Sequence, residues 1–144
     1  MGERRYFGTD GIRGRANSEL RPTLAYALGR AVAHRLLGEG SRALLIGQDT
    51  RRSGDMLASA IVAGATSMGA DVHRLGVCPT PALAHLTAGG RFGAGIMVSA
   101  SHNPADDNGL KVIDAGGLKL DDPLEDELEA LMLRTEELAG PDNA

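Results

Sequence analysis

The sequence predicts an α/β fold, a three-layer αβα domain around a mixed, mostly parallel sheet. Short apolar runs bounded by glycine or proline alternate with stretches of 3.6-residue apolar period, the pattern of βαβ units. The length, 144 residues, suits one compact domain. Packing falls to small side chains, with 21 alanines and 20 glycines against two Phe, two Tyr and no Trp. That composition favours helices laid closely on a sheet. Glycine shows no collagen period, so it serves turns and close backbone approaches.

The elements follow in order. Leu24, Leu28, Ala31, Val32 and Leu36 have helical spacing, with Pro22 near the start and Gly38 past the end. Ala43-Leu44-Leu45-Ile46 is a short buried-strand run. Ser53 then caps a helix to about Met68, with Leu57, Ile61 and Gly64 on one face. Asp71 to Val77 reads as a strand that stops before Pro79. Thr80-Pro81 pairs an N-cap with proline at the first helical position, opening a short helix to about Ala88. Ala94 to Ser99 and Leu110 to Ile113 are the last strands. Asp122-Pro123-Leu124-Glu125 resembles a capping box, and Leu124, Leu128, Leu131 and Met132 give its helix an apolar stripe. Residues 138–144 are expected to form a frayed linker. In such sheets functional loops gather beyond the carboxyl ends of the strands.

Several function classes drop out. A single cysteine, Cys78, leaves no disulfide framework and no cysteine-built zinc site, and it reads as a small buried residue. His34, His73 and His85 have no second ligand at helical spacing and read as surface or core histidines. No run approaches the roughly 18 apolar residues of a membrane span. The start, MGERRYFGTD, lacks the apolar core of a signal peptide, and Tyr6 stands where myristoylation wants Ser or Thr. A soluble, reducing, cytoplasmic setting with no membrane partner is the expectation. Net charge is −4 but uneven: residues 1–113 carry +4 and residues 114–144 carry −8. That disfavours a nucleic-acid binder. The acidic run Asp121 to Glu129 reads as a solvated helix face with its acids at the favourable end.

Three segments can carry chemistry. Phe7 to Arg15 holds Gly8, Gly11 and Gly14 with Arg13 and Arg15, guanidinium forks suited to phosphate; its plain reading is a turn-rich loop. Gly47 to Gly54 is a strand-to-helix turn where Arg51, Arg52 and helix N–H groups could bind an anion, or an ordinary capped turn. Ser99 to Lys111 gathers hydroxyls, His102, Asn103, two carboxylates and an ammonium. His102 next to Ser101 makes a poor dyad, since chain neighbours on an extended strand point apart. A phosphoserine at Ser99 or Ser101 is more economical, because its oxygens suit Mg2+. Lys111 could then exchange a proton with a sugar hydroxyl. The plain reading is a polar loop turning at Asp107-Asn108-Gly109.

Together and in this order, the three segments resemble the first domain of the α-D-phosphohexomutases. Tyr6-Phe7-Gly8-Thr9-Asp10-Gly11-Ile12-Arg13-Gly14 and Ser99-Ala100-Ser101-His102-Asn103-Pro104 with Asp107-Asn108-Gly109-Leu110-Lys111 look like the bacterial phosphoglucosamine mutase subgroup. The resemblance runs from about residue 4 to residue 137. It implies that Ser101 is the phosphorylated serine, exchanging its phosphoryl group with a hexose monophosphate through a hexose 1,6-bisphosphate. It implies that Arg13 and Lys111 surround that serine and handle the hydroxyl proton, that His102 and Asn103 shape the loop, and that Mg2+ sits on the phosphoserine. The Asp-x-Asp-x-x-Arg metal loop, the sugar-selecting loop and the phosphate-binding loop belong to three further domains whose motifs are absent here. This implies one domain of a four-domain enzyme, inactive alone, with a homodimer open to the complete protein. Glucosamine 6-phosphate and glucosamine 1-phosphate are the implied substrates. A phosphomannomutase or phosphoglucomutase domain, or a non-catalytic phosphate-binding domain, are the alternatives.

Overall fold

Four helices and the four apolar strand runs form where the periodicity places them, and two further strands join them. The computed structural model describes residues 4–144. Met1-Gly2-Glu3, on which part of the leader and lipidation reading rests, lies outside the described residues. The elements are β1 (Phe7–Gly8), β2 (Gly11–Arg15), α1 (Pro22–Leu36), β3 (Ala43–Gln48), α2 (Gly54–Ser67), β4 (Asp71–Val77), α3 (Thr80–Thr87), β5 (Ala94–Val98), β6 (Asp107–Asp114) and α4 (Asp122–Leu133), then a 3-10 turn at Thr135–Glu137. Among the described residues no helix is long and apolar enough to cross a membrane.

The sheet is mixed, in the order β1-β2-β6-β5-β3-β4. Only β3–β4 and β3–β5 pair in parallel, while β1–β2, β2–β6 and β5–β6 are antiparallel. The expectation of a mostly parallel sheet is therefore corrected. A parallel return needs a crossover of a dozen or more residues, and no helix lies between β5 and β6. The segment 7–15, read as a loop, is a hairpin, and the expected turn at 107–109 is the start of β6. Neither has the apolar alternation by which a strand is recognised.

Alternation builds the layers. Leu44 and Ile46 of β3, Ile96 and Val98 of β5, and Leu110 and Val112 of β6 join the core under α1, α2 and α4. Their neighbours Leu45, Met97 and Ile113 meet Leu83 of α3 on the other face. α1 and α2 touch backbone to backbone. A Cβ at Gly29 would lie 2.5 Å from the Ile61 carbonyl oxygen, and one at Gly64 would collide with the carbonyl of Tyr26.

Three helix starts differ from expectation. Ser53 has helical angles (φ −75°, ψ −6°) and makes no capping bond; its Oγ accepts from Asn108 Nδ2 at 2.9 Å instead. Pro79 takes the N-cap position of α3, with Thr80 already inside the helix. Asp121, one residue earlier than expected, caps α4 by accepting from the Leu124 N–H at 3.0 Å.

The acidic run is not simply solvated, which corrects the reading of Asp121 to Glu129. Glu125 and Glu129 are 2% and 5% exposed. Glu129 accepts the backbone N–H groups of Arg5, Tyr6 and Phe7 at 2.9, 2.6 and 3.0 Å. Glu125 lies 3.6 Å from Arg4 and 3.4 Å from Lys119. α4 thus holds the incoming chain, whose N–H groups would otherwise lack partners. At the other end, the Leu138 carbonyl accepts from Arg30 and its side chain packs on the core. Gly140 lies so close to the Ser67 carbonyl that a side chain would not fit.

Two predictions follow from packing and burial. Gly64→Ala should cost about 1–3 kcal/mol through overpacking at the α1–α2 contact, read by urea unfolding. Burial pushes the Glu125 carboxyl above its ordinary value, against the pull of Lys119 and Arg4. Its contribution to stability is complete below the ordinary carboxyl range and is lost as pH rises through the folded value. Glu125→Gln should therefore raise Tm at pH 7, and the gain should shrink toward about pH 4.

Candidate functional site

The carboxyl ends of β2, β3 and β5 and the amino end of β6 share one edge of the sheet, and the loop 99–106 crosses it. Pairing there is set by register: Arg13 lies opposite Gly109, and Ser99 donates its N–H to the Gly109 carbonyl at 3.0 Å. Gly109 has no room for a side chain. A Cβ would come within 2.5 Å of the Ser99 carbonyl oxygen and 3.2 Å of Arg13 Cγ. Strand alternation puts Gly109 and Lys111 on one face of β6, and the cross-strand partner Arg13 on the same face. Lys111 pairs with Met97 of β5. Arg13 and Lys111 thus stand diagonally across two strands beside the loop.

Ser101 is exposed and holds a left-handed backbone, φ +56°. For a residue with a Cβ this costs about 1–2 kcal/mol, so the surroundings must hold it. Its N–H donates to Ser99 Oγ at 3.1 Å, and Ser99 Oγ donates to Asp49 Oδ2 at 2.7 Å. Its carbonyl accepts from Arg51 Nη2 at 3.0 Å, and the same nitrogen donates to the Asn103 carbonyl at 2.9 Å. Arg51 Nη1 donates to the carbonyls of Pro104 and Asp107, and Nε to Asp49 Oδ2 at 3.2 Å.

The Gly47 to Gly54 turn matches neither of its two readings in full. Arg51 has committed its guanidinium to the loop, and α2's first turn is not capped by Ser53. Arg52 remains exposed, with no ion pair among the described residues. It lines an open cleft of about 570 Å³ together with Asp49, Thr50, Arg51, Ser101 and Asn103, a volume in the range of small-molecule sites.

The remaining expected residues fall as follows. Arg13 makes one long ion pair, 4.0 Å to the exposed Asp10 carboxylate. His102 is exposed and makes no side-chain hydrogen bond among the described residues, so Ser101 and His102 form no dyad. Asn103 contributes backbone only, its N–H donating to the Ala100 carbonyl at 3.1 Å. His34, His73 and His85 are all exposed, and His73 packs edge-on against Phe92. Cys78 is half-buried, and burial pushes its thiol up. Sequence reasoning missed two supports. Asp49 anchors both Ser99 and Arg51. Asn108, fully buried, ties Ser53 to the Gly109 N–H, which its Oδ1 accepts at 2.8 Å. The available signal was position: a polar Asp-Thr-Arg directly after a buried strand, at the edge where functional loops gather.

Known proteins share this sequence pattern and fold. The family model for phosphoglucomutase/phosphomannomutase, alpha/beta/alpha domain I, matches residues 4–139. A phosphoglucosamine mutase of Desulforudis audaxviator is 59% identical over 128 residues, covering 88% of this chain and 28% of that protein. A phosphoglucosamine mutase of Pelotomaculum thermopropionicum is 54% identical over 135 residues, 93% of this chain and 30% of that protein. The crystal structure of a putative phosphomannomutase from Thermus thermophilus superposes with TM-score 0.81 at 32% identity, over 92% of this chain and 30% of that one. The chain thus spans less than a third of the curated relatives it matches.

The close approach at Gly109 yields a test. Gly109→Ala should push the Ser99 carbonyl and Arg13 apart, destabilise the domain by about 1–3 kcal/mol and speed proteolysis within 99–106. Unfolding curves and limited proteolysis with mass mapping would measure both.

Proposed function

The chain belongs to the phosphoglucomutase/phosphomannomutase family as its α/β/α domain I, and from that premise we propose that it is the phosphoserine-bearing domain of a phosphoglucosamine mutase. One observation carries the reading: Ser101 sits exposed on a loop held from within, at an open cleft it shares with Arg52, while Arg13 and Lys111 lie on the two strands that flank that loop. The names of the relatives at 54–59% identity favour glucosamine phosphate as the sugar. The reaction interconverts glucosamine 6-phosphate and glucosamine 1-phosphate and would serve amino-sugar nucleotide (UDP-GlcNAc) synthesis.

In the proposed step, phosphorylated Ser101 gives its phosphoryl group to the free hydroxyl of the sugar monophosphate. The Ser101 Oγ–P bond breaks, a P–O bond to the sugar forms, and the hydroxyl proton passes by way of the Lys111 amine to the departing Ser101 oxygen, which is left as a free hydroxyl. The bisphosphate then reorients and returns its other phosphoryl group to Ser101. Arg13 faces the charge that spreads over the transferring oxygens, the main task in this chemistry. Among the described residues no three His, Cys, Asp or Glu side chains are grouped to hold a metal. A phosphate oxygen on Ser101 is the donor this chain would offer Mg2+ at this loop, and the metal would neutralise charge there when bound. The rest of the cleft, including the other metal ligands and the sugar-selecting groups, is assigned to further domains. The chain alone is expected to show no measurable turnover.

The test places this chain in the position of the matching first domain of the Desulforudis audaxviator enzyme. The hybrid should isomerise glucosamine phosphate in preference to mannose or glucose phosphate. Ser101→Ala should lower kcat by at least about a thousandfold, since a covalent carrier has no substitute. Undiminished turnover in that variant would overturn the assignment. Preference for mannose phosphate would move it to the phosphomannomutase branch.

A further inference from the structure

We propose that Arg51 is a positioning residue: its guanidinium fixes the left-handed backbone of Ser101 and so sets the direction in which that serine presents its hydroxyl. The inference rests on Ser101 being the phosphoryl carrier, but its geometric half stands on its own.

Four observations converge on it. Arg51 makes five side-chain hydrogen bonds, and four of them reach backbone carbonyls spread over residues 101 to 107. These carbonyls come from consecutive turns of one loop, and they point at a common centre only because a planar cation lies there. Arg51 is itself fixed at both ends. Its backbone N–H donates to Asp49 Oδ1 at 3.0 Å and its Nε to Asp49 Oδ2. The side chain is 11% exposed, so little water competes for these bonds. Finally, Asp49 also accepts from Ser99 Oγ, whose oxygen accepts the Ser101 N–H. Both peptide groups flanking the Ser101 Cα are therefore anchored to one Asp49–Arg51 pair, and a residue with both peptides fixed has no freedom to leave φ +56°.

The arrangement requires a fork. A lysine at this position keeps the charge and most of the stem, but it donates from a single nitrogen and cannot span carbonyls on two sides of a loop. With the fork gone, Ser101 relaxes toward ordinary negative φ, and its hydroxyl leaves the cleft wall shared with Arg52. Misplacement of a reacting group by an ångström can cost a hundredfold in rate.

The experiment uses the 144-residue chain as it stands, in wild-type, Arg51→Lys and Arg51→Ala forms. Amide NMR spectra report whether the fold outside 49–53 and 99–107 is kept. The HN–Hα coupling and heteronuclear NOE of Ser101 report its backbone, and intact mass of the hybrid enzyme carrying each form, after incubation with glucose 1,6-bisphosphate, reports phosphorylation of Ser101. The expected result is an unchanged fold in both variants, loss of the positive φ and rigidity at Ser101, and phosphorylation slowed at least tenfold in both. Retention of the left-handed Ser101 in Arg51→Lys, wild-type phosphorylation in either variant, or global unfolding of both would overturn the positioning role. A wild-type hybrid that never accepts phosphate, while the Ser101 backbone still depends on Arg51, would instead count against the proposed carrier function.

Discussion

The candidate site depends on one position where a side chain is missing. At Gly109 the Ser99 carbonyl and the Arg13 stem occupy the volume a Cβ would need. Three strands can therefore close up at their functional edge: β2 brings Arg13, β5 leads directly into Ser99, and β6 carries Lys111 two residues further on. Asn108, buried beside it, fixes the Gly109 N–H and reaches across to Ser53. The last residues before α2 are thus tied to the first residues of β6. The 99–106 loop starts and ends on these fixed points, and that confinement lets a single guanidinium hold its carbonyls. A larger residue at 109 would part the strands before it touched any reacting group.

The parts of this structure that were legible in the sequence are those set by burial period. The stripe Leu24–Leu36 and the runs at 43–46, 94–98 and 110–113 pack as their spacing demands, because each buries a face against a partner whatever that partner is. Antiparallel β2 was not legible. Its outward residues are Arg13 and Arg15, its inward ones Ile12 and a glycine, and such a strip has no apolar rhythm. Cap positions slipped by one residue for a different reason. Asp121 and Asp122 are equally able to accept a helix N–H, and only the entry angle of the chain chooses between them. Ser53 is a good cap by type, but it was taken by Asn108, a residue 55 positions away.

Charge was the least legible feature, since the sequence shows how many charges there are and not which groups meet them. The −8 of residues 114–144 suggested a solvated face, yet two of its carboxylates are buried against the start of the chain. Glu129 spends its oxygens on backbone N–H groups, the strongest reason a carboxylate has to go inside. Arg4, Lys119 and Arg35 meet others of the set. Residues 4–7 thereby become the covering of α4, and the hairpin that carries Arg13 starts from a fixed base. Arg51 shows the same lesson with the opposite sign. By type it belonged with Arg52 as a phosphate binder, and only the four carbonyls of a distant loop reveal that it serves the backbone.

These two internal uses of charge divide the work of the site. Everything that sets the geometry of Ser101 lies within this chain: Asp49, Arg51, Ser99, Asn108 and Gly109 are all hydrogen-bonded or packed without outside help. What would neutralise a dianionic phosphate is sparser here. Arg52 lines the open cleft, and Arg13 and Lys111 stand on the neighbouring strands, each partly or fully in water, where its charge is weakened by solvent. Aim and charge compensation are therefore separable properties of this fold. The first is complete in the domain, because a left-handed serine must be held at all times. The second can be supplied by groups that close over the cleft, because charge on the transferring oxygens needs to be met only while phosphate moves.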